Sequence, residues 1–291
     1  MQDASSGTVV AAHGRRFLVR AGDHTLFDCV VRGKRSDLAC GDQVSFRPTG
    51  DNGGVIEATL PRKTLLLRAA LHRQKLIAAN LTQLAILVAP EPSFSDELVA
   101  RALVAAEDQG IACLIVLNKI DLPTTDTARQ QLAPFKAAGY PIIEMSAKKD
   151  VSLLRAALLG HLTAFLGQSG MGKSTVVNAL IPDAAAVTRE ISHFLDSGRH
   201  ATTASRLYRL DERSSIIDCP GIQEFGLAHL DALHIARGFP EIRSLEARCR
   251  FNDCGHVSEP ECAIKLAVTN GHIHARRYAQ LLRLLAGPHG A

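Results

Sequence analysis

Eight consecutive residues, Gly167-Gln168-Ser169-Gly170-Met171-Gly172-Lys173-Ser174, carry the spacing G-x-x-x-x-G-K-S. Glycine at 167, 170 and 172 lets backbone N–H groups turn inward around phosphate oxygens at a helix N-terminus. Lys173 can reach terminal phosphates, and the Ser174 hydroxyl can hold Mg²⁺. Thr175 follows on the first turn of the expected helix and belongs to the same nucleotide-binding set. The chemistry is the binding of a nucleoside triphosphate with its magnesium ion.

A second group selects the base. Asn118-Lys119-Ile120-Asp121 reads N-K-x-D, and Ser146-Ala147-Lys148 reads S-A-K. A carboxylate at Asp121 can accept from both the ring N–H and the amino group of guanine, a donor pair that adenine lacks. Leaving such a pair unmade in a closed site is costly, so the motif selects GTP over ATP. The Ala147 N–H is placed to support the guanine carbonyl. Both base motifs precede the phosphate loop. In an ordinary GTPase they follow it, so this chain carries the parts in circularly permuted order.

Two further segments sense the terminal phosphate. Asp218-Cys219-Pro220-Gly221 is a D-x-x-G, with Asp218 expected to act on Mg²⁺ and the Gly221 N–H on the γ-phosphate. Ile222 stands where many GTPases place a water-orienting glutamine; Gln223, one residue later, is expected to point elsewhere. Slow intrinsic turnover follows unless another group positions water. The other switch is expected in Gly198-Arg199-His200-Ala201-Thr202-Thr203, where Thr202 or Thr203 completes the Mg²⁺ shell and His200 is the candidate catalytic, water-positioning residue.

Cys249-x4-Cys254-x-His256-x5-Cys262 places four soft or borderline ligands within 14 residues. That set suits a closed tetrahedral Zn²⁺ site without an open position, which is structural rather than catalytic. Cys29, Cys40, Cys113 and Cys219 lack metal spacing and read as packing residues.

The elements that must position these groups fall into three units. Over 1–63, five short runs rich in β-formers alternate with turn residues: Thr8–Val10, Arg16–Val19, Leu26–Val31, Gln43–Phe46 and Gly54–Ala58. They suit a small β-barrel of the OB type with Phe17, Phe27 and Phe46 inside. Arg32, Lys34 and Arg35 fall on one of its loops, without an aromatic ladder for base stacking. Over 64–236, apolar runs at 84–89, 112–117, 162–166 and 215–217 alternate with helical stretches at 96–109 and 173–180, an α/β pattern. Ser95 is the expected cap of the first helix, with Gly110 beyond its end. Ligand motifs thereby sit at the C-terminal ends of strands, where open α/β sheets bind nucleotides. The remainder, 237–291, is a mainly helical zinc-binding module.

Net charge is +4 over 291 residues, distributed as +5 in 1–75, −4 in 76–236 and +3 in 237–291. Basic flanks around an acidic nucleotide unit fit contact with a polyanion, RNA foremost. The 46% hydrophobic and 21% charged content is that of a folded chain. No apolar run approaches the roughly 18 residues of a membrane span. Met1–Gly7 is polar, so a cytoplasmic protein without membrane contact is expected. An odd cysteine count is a poor disulfide framework and agrees with that compartment.

Taken together, the barrel, the permuted nucleotide unit and the C-x4-C-x-H-x5-C module resemble the bacterial small ribosomal subunit biogenesis GTPases of the RsgA type. The resemblance covers nearly the whole chain and includes Leu60-Pro61-Arg62-Lys63, Leu103-Val104-Ala105-Ala106-Glu107 and Cys249-Arg250-Phe251-Asn252-Asp253-Cys254. It implies a cytoplasmic enzyme that binds the nearly mature small subunit and its rRNA. It further implies hydrolysis of GTP to GDP and phosphate, stimulated by the subunit and coupled to release late in assembly. His200 matches the family's G-R-H-T-T-T-like switch, whereas Ala201 departs from it, which leaves Thr202 and Thr203 both open. A monomer is expected. Two other readings remain: a GTP-gated RNA-binding module with negligible turnover, and a permuted GTPase acting on the large subunit.

Overall fold

The computed structural model describes residues 4–33, 37–50, 52–70, 73–184, 205–223, 225–251 and 254–286. Alternation in the first sixty residues produces β1 (Ser5–His13), β2 (Arg16–Ala21), β3 (Leu26–Val31), β4 (Gln43–Thr49) and β5 (Gly53–Thr59). Val9, Phe17, Val19, Cys29, Val44, Phe46 and Ile56 fill a core of their own, with Phe27 packed against it. β1, β2 and β3 run antiparallel, β3 pairs in parallel with β5, β5 pairs with β4, and β4 returns to β1. The sheet therefore closes into the OB-type barrel expected from the sequence.

Arg62 locks the barrel's exit. The fully buried Asp42 carboxylate accepts from the Ala39 N–H and takes both arms of the Arg62 guanidinium, at 2.6 and 2.8 Å. Asn80 then ties both sides of the junction, accepting from the Lys63 N–H at 2.9 Å and donating to the Gly41 carbonyl at 3.0 Å. Next comes an antiparallel hairpin, β6 (Leu65–Ala70) and β7 (Arg73–Ala79), which the sequence did not announce. Its Leu, Ala, Arg, Lys and Gln are helix formers, so propensity pointed away from a strand and pairing overrode it.

The α/β unit follows as β8 (Gln83–Val88), α1 (Asp96–Asp108), β9 (Ala112–Leu117), α2 (Thr125–Ala137), β10 (Ile142–Glu144), α3 (Ser152–Leu158), β11 (Leu162–Leu166), α4 (Lys173–Leu180), β12 (Arg206–Arg209) and β13 (Ser215–Asp218). The strand order is β10-β9-β8-β11-β13-β12, parallel except for β12. All six residues of β8 are buried, as befits a central parallel strand covered on both faces. Ser95 caps α1, its hydroxyl accepting from the Leu98 N–H at 3.2 Å, and Gly110 follows with φ 65°. The barrel joins this sheet through one antiparallel register pair, Ala11 with Arg206.

The last part is helical: α5 (Ala232–Arg237), α6 (Pro240–Arg243), a 3₁₀ turn (Glu246–Arg248), α7 (Ala263–Thr269) and α8 (Ala275–Ala286). It docks on α1 and α2. Arg277, 1% exposed, donates to Glu241 at 2.7 Å and to Gln280 at 3.0 Å. Its guanidinium carbon lies 4.4 Å from the Phe239 ring centroid, 5.0 Å from Phe135 and 5.8 Å from Tyr140. A buried cation is thus held by one carboxylate and three aromatic faces. The Asp96 carboxylate adds contacts of 3.2 Å to both Arg276 and Gln280. Among the described residues no helix is long and apolar enough to cross a membrane.

Candidate nucleotide site and metal knuckle

Asn118 leaves the end of β9 almost fully buried and braces two loops at once. Its amide donates to the Met171 carbonyl of the glycine-rich loop and accepts from the Ala147 N–H, each at 3.0 Å. Gly172 makes this approach possible: its φ is 89°, and a Cβ there would lie 2.5 Å from the Asn118 amide nitrogen. Asparagine in N-K-x-D therefore joins the S-A-K loop to the phosphate loop. Beside it lies a cavity of about 270 Å³ walled by Lys119, Asp121, Ser146, Ala147 and Lys148. The Ser146 hydroxyl, first among several causes, holds the Asp121 carboxyl below its ordinary range, so this acceptor is ionised.

A second cavity, about 830 Å³, shares Lys119, Lys148, Gly172 and Thr175 with the first. Its walls include Ser169, Gly170, Lys173, Ser174, Asp218 and Gly221. The Lys173 ammonium donates to the Gly167 carbonyl at 2.8 Å, and burial lowers its pKa against the opposing pull of Asp218. Burial, in turn, raises the Asp218 carboxyl, offset by Lys173 and Arg206. The Asp218 Oδ1 is buried without a hydrogen-bond partner among the described residues. A carboxylate oxygen so placed, in a cavity that Ser174 also lines, suits a hard cation. Gly221 lies against the same loop, where a Cβ would be 3.5 Å from both the Lys173 ammonium and the Ser169 N.

Away from this cleft, Cys249, Cys254, His256 and Cys262 bring one ligand atom each within 4.8 Å of one another. The His256 Nδ1 faces the sulfurs of Cys249 and Cys262, each at 3.6 Å. Three thiols and one imidazole, two of them buried, form a structural metal site with the donor set of Zn²⁺. Glu259 shapes the knuckle between the ligands by accepting from the N–H groups of Gly255, Val257 and Ser258 at 2.9 to 3.0 Å. The Tyr278 hydroxyl donates to the His256 carbonyl at 2.6 Å, tying the knuckle to α8.

The RsgA GTPase family model matches residues 59–228. Over 97% of the chain it is 49% identical to the small ribosomal subunit biogenesis GTPase RsgA of Nitrosomonas europaea, covering 91% of that protein. The chain belongs to the RsgA GTPase family. The RsgA protein of Nitrosospira multiformis is 50% identical over 96% of the chain and 90% of its own length. Among solved structures, YjeQ from Thermotoga maritima matches 99% of the chain and 100% of its own, with TM-score 0.75 and 28% identity. YloQ, described as a circularly permuted GTPase, matches 98% of the chain and 95% of its own, with TM-score 0.73 and 25% identity.

In this RsgA-family chain the sequence-predicted residues of the two base motifs, the phosphate loop and D-x-x-G line the paired cavities, except Gly167, Gln168 and the buried Met171. The Gln168 side chain instead accepts from the Ser95 N–H at 2.7 Å and so anchors the start of α1. His200, Thr202 and Thr203 lie outside the described residues, as do Lys34 and Arg35. Gln223 is exposed and borders the phosphate cavity, while Ile222 is buried. The Ile222 N–H donates to the Gly167 carbonyl at 3.2 Å, which ties the residue after D-x-x-G to the phosphate loop.

Sequence reasoning also missed Glu91. Its carbonyl accepts from the Lys119 ammonium and its carboxylate from the Thr124 hydroxyl, both at 2.7 Å. A lone glutamate between two prolines bears no motif, so only the folded loop reveals that role. Arg206 was likewise missed. It stands opposite Asp218 in the β12–β13 register and lines the phosphate cavity.

Proposed function

We propose that this chain is a GTP phosphohydrolase that acts on the small ribosomal subunit late in its assembly. The observation that carries the proposal is the convergence of four motifs on two cavities sharing one wall. In this reading Asn118, Lys119, Asp121, Ser146, Ala147 and Lys148 hold guanine. Residues 167–175, with Gly221, hold the phosphates. Ser174, Asp218 and one of Thr202 and Thr203 hold Mg²⁺, which neutralises charge on the transferred phosphoryl group. His200 positions water. Cys249, Cys254, His256 and Cys262 hold one structural Zn²⁺.

The curated relatives' names supply the small subunit as target, and the basic flanks, +5 over 1–75 and +3 over 237–291, supply a reason to touch its rRNA. We take 1–63, 64–236 and 237–291 as barrel, GTPase unit and zinc module of a cytoplasmic monomer. GTP orders the 197–205 and 218–226 segments, which hold barrel and module in a geometry that grips rRNA; loss of the γ-phosphate releases it. The test is co-sedimentation with purified subunits. Small-subunit binding that is tight with a non-hydrolysable GTP analogue and at least tenfold weaker with GDP fits the reading. Equal binding in both states, or preference for large subunits, contradicts it.

A further inference from the structure

We propose that Gln223 is a second catalytic residue, orienting the attacking water by accepting its proton in a hydrogen bond and donating to a γ-phosphate oxygen. The inference rests on the GTPase reading above. Three observations set the residue beside the phosphates. Ile222 is tethered by its N–H to Gly167 and is 4% exposed, and Phe225 is 2% exposed, so the segment is pinned on both sides of Gln223. Gln223 itself is exposed and lines the phosphate cavity with Lys173, Ser174 and Gly221. Gly221 lies against Lys173 and Ser169, so Gln223 starts only two residues from the point where D-x-x-G meets the phosphate loop.

Chemistry narrows the role. In hydrolysis the water oxygen bonds to the γ-phosphorus as the bond from that phosphorus to the bridging oxygen breaks. The electron pair leaves with GDP, and the water proton ends on inorganic phosphate. Attack is roughly in line with the leaving oxygen. Lys173 and the glycine-rich loop occupy the phosphate-loop side, and among the described residues the charged side chains of the cavity are Lys119, Lys148, Lys173, Arg206 and Asp218, with His200 the water-positioning partner in the reading above. Cations cannot accept from water, and Asp218 is committed to Mg²⁺ in this reading. An amide donates and accepts without changing charge. Gln223 supplies one from the wall that follows D-x-x-G.

The test is single-turnover hydrolysis by the full chain with saturating small ribosomal subunits, for wild type, Gln223→Ala and Gln223→Glu. Affinity for GDP and for GDP with aluminium fluoride is measured beside it. Removing one hydrogen-bonding side chain that serves the transition state costs about 10²-fold or more. Both variants are expected to lose at least tenfold in rate and most of the affinity gained on adding aluminium fluoride, while GDP affinity stays within threefold. The glutamate variant keeps the shape but cannot donate, so it must not rescue. Rates within twofold of wild type, with the aluminium fluoride gain retained, overturn the role of Gln223 and leave the GTPase reading intact. A wild type that neither hydrolyses GTP nor gains affinity with aluminium fluoride overturns both.

Discussion

Replacing Asn118 by alanine is expected to weaken GDP and GTP alike, although in this account the side chain serves the loops more than the ligand. The residue is 2% exposed and makes two hydrogen bonds of 3.0 Å, one to the Met171 carbonyl and one from the Ala147 N–H. Removing one partner from a buried hydrogen bond costs about 1–3 kcal/mol. The Ala147 N–H borders the base cavity and recovers part of its loss from water. The buried Met171 carbonyl does not. The sum is about 2–4 kcal/mol, shared between native stability and the ordering of loops on binding. At about 1.4 kcal/mol per tenfold, even half of the lower figure is a several-fold effect, and the full range exceeds tenfold. Titration with a fluorescent GDP analogue, beside a thermal melt, reads both shares. The ratio of GTP to GDP affinity should not change, since the bonds lie on the base side of the loop. GDP affinity within twofold of wild type together with an unchanged melt would refute the bracing role.

Three further outcomes follow from the geometry. Arg277→Met leaves the Glu241 carboxylate unpaired in a nearly closed site, which costs about 3–5 kcal/mol, whereas Arg277→Met with Glu241→Leu should recover most of that loss; a double-mutant cycle by denaturation measures it. Cys262→Ser should reduce bound zinc from one equivalent to near zero by elemental analysis and expose Cys249 and Cys254 to thiol reagents, because a closed site needs all four ligands. The Asp231 side chain accepts from the His234 N–H and meets the imidazole, both at 2.8 Å, which raises the His234 pKa and, through the backbone N–H first, lowers that of Asp231. Stabilisation from the raised histidine is full below its ordinary 6.5 and fades as pH rises through the raised value. That from the depressed carboxyl is present above its ordinary 3.8 and fades as pH falls through the lowered value. Asp231→Ala should therefore return the His234 titration, followed by NMR, towards 6.5.

Much of the nucleotide site was legible because its chemistry is written in short contiguous runs. The G-x-x-x-x-G-K-S run needs only its own strand and helix to become a phosphate cradle, and the zinc ligands span 14 residues. The barrel was legible because each strand alternates and each turn is marked. What escaped depends on distant partners. The β6–β7 hairpin is built from helix formers and exists through pairing. The Arg277 cage gathers Phe135, Tyr140, Phe239 and Glu241 from segments that carry no shared period. That Gln223 borders the phosphate cavity could not be counted from D-x-x-G alone, since it depends on the Ile222 N–H bond to the distant Gly167.

The most direct test of the central claim is GTP hydrolysis by the purified protein, alone and with isolated small or large ribosomal subunits, at fixed moderate salt. The account predicts slow turnover alone, strong stimulation by small subunits and none by large ones. Turnover unaffected by small subunits, with GTP-dependent binding intact, would contradict it and leave a nucleotide-gated binding module.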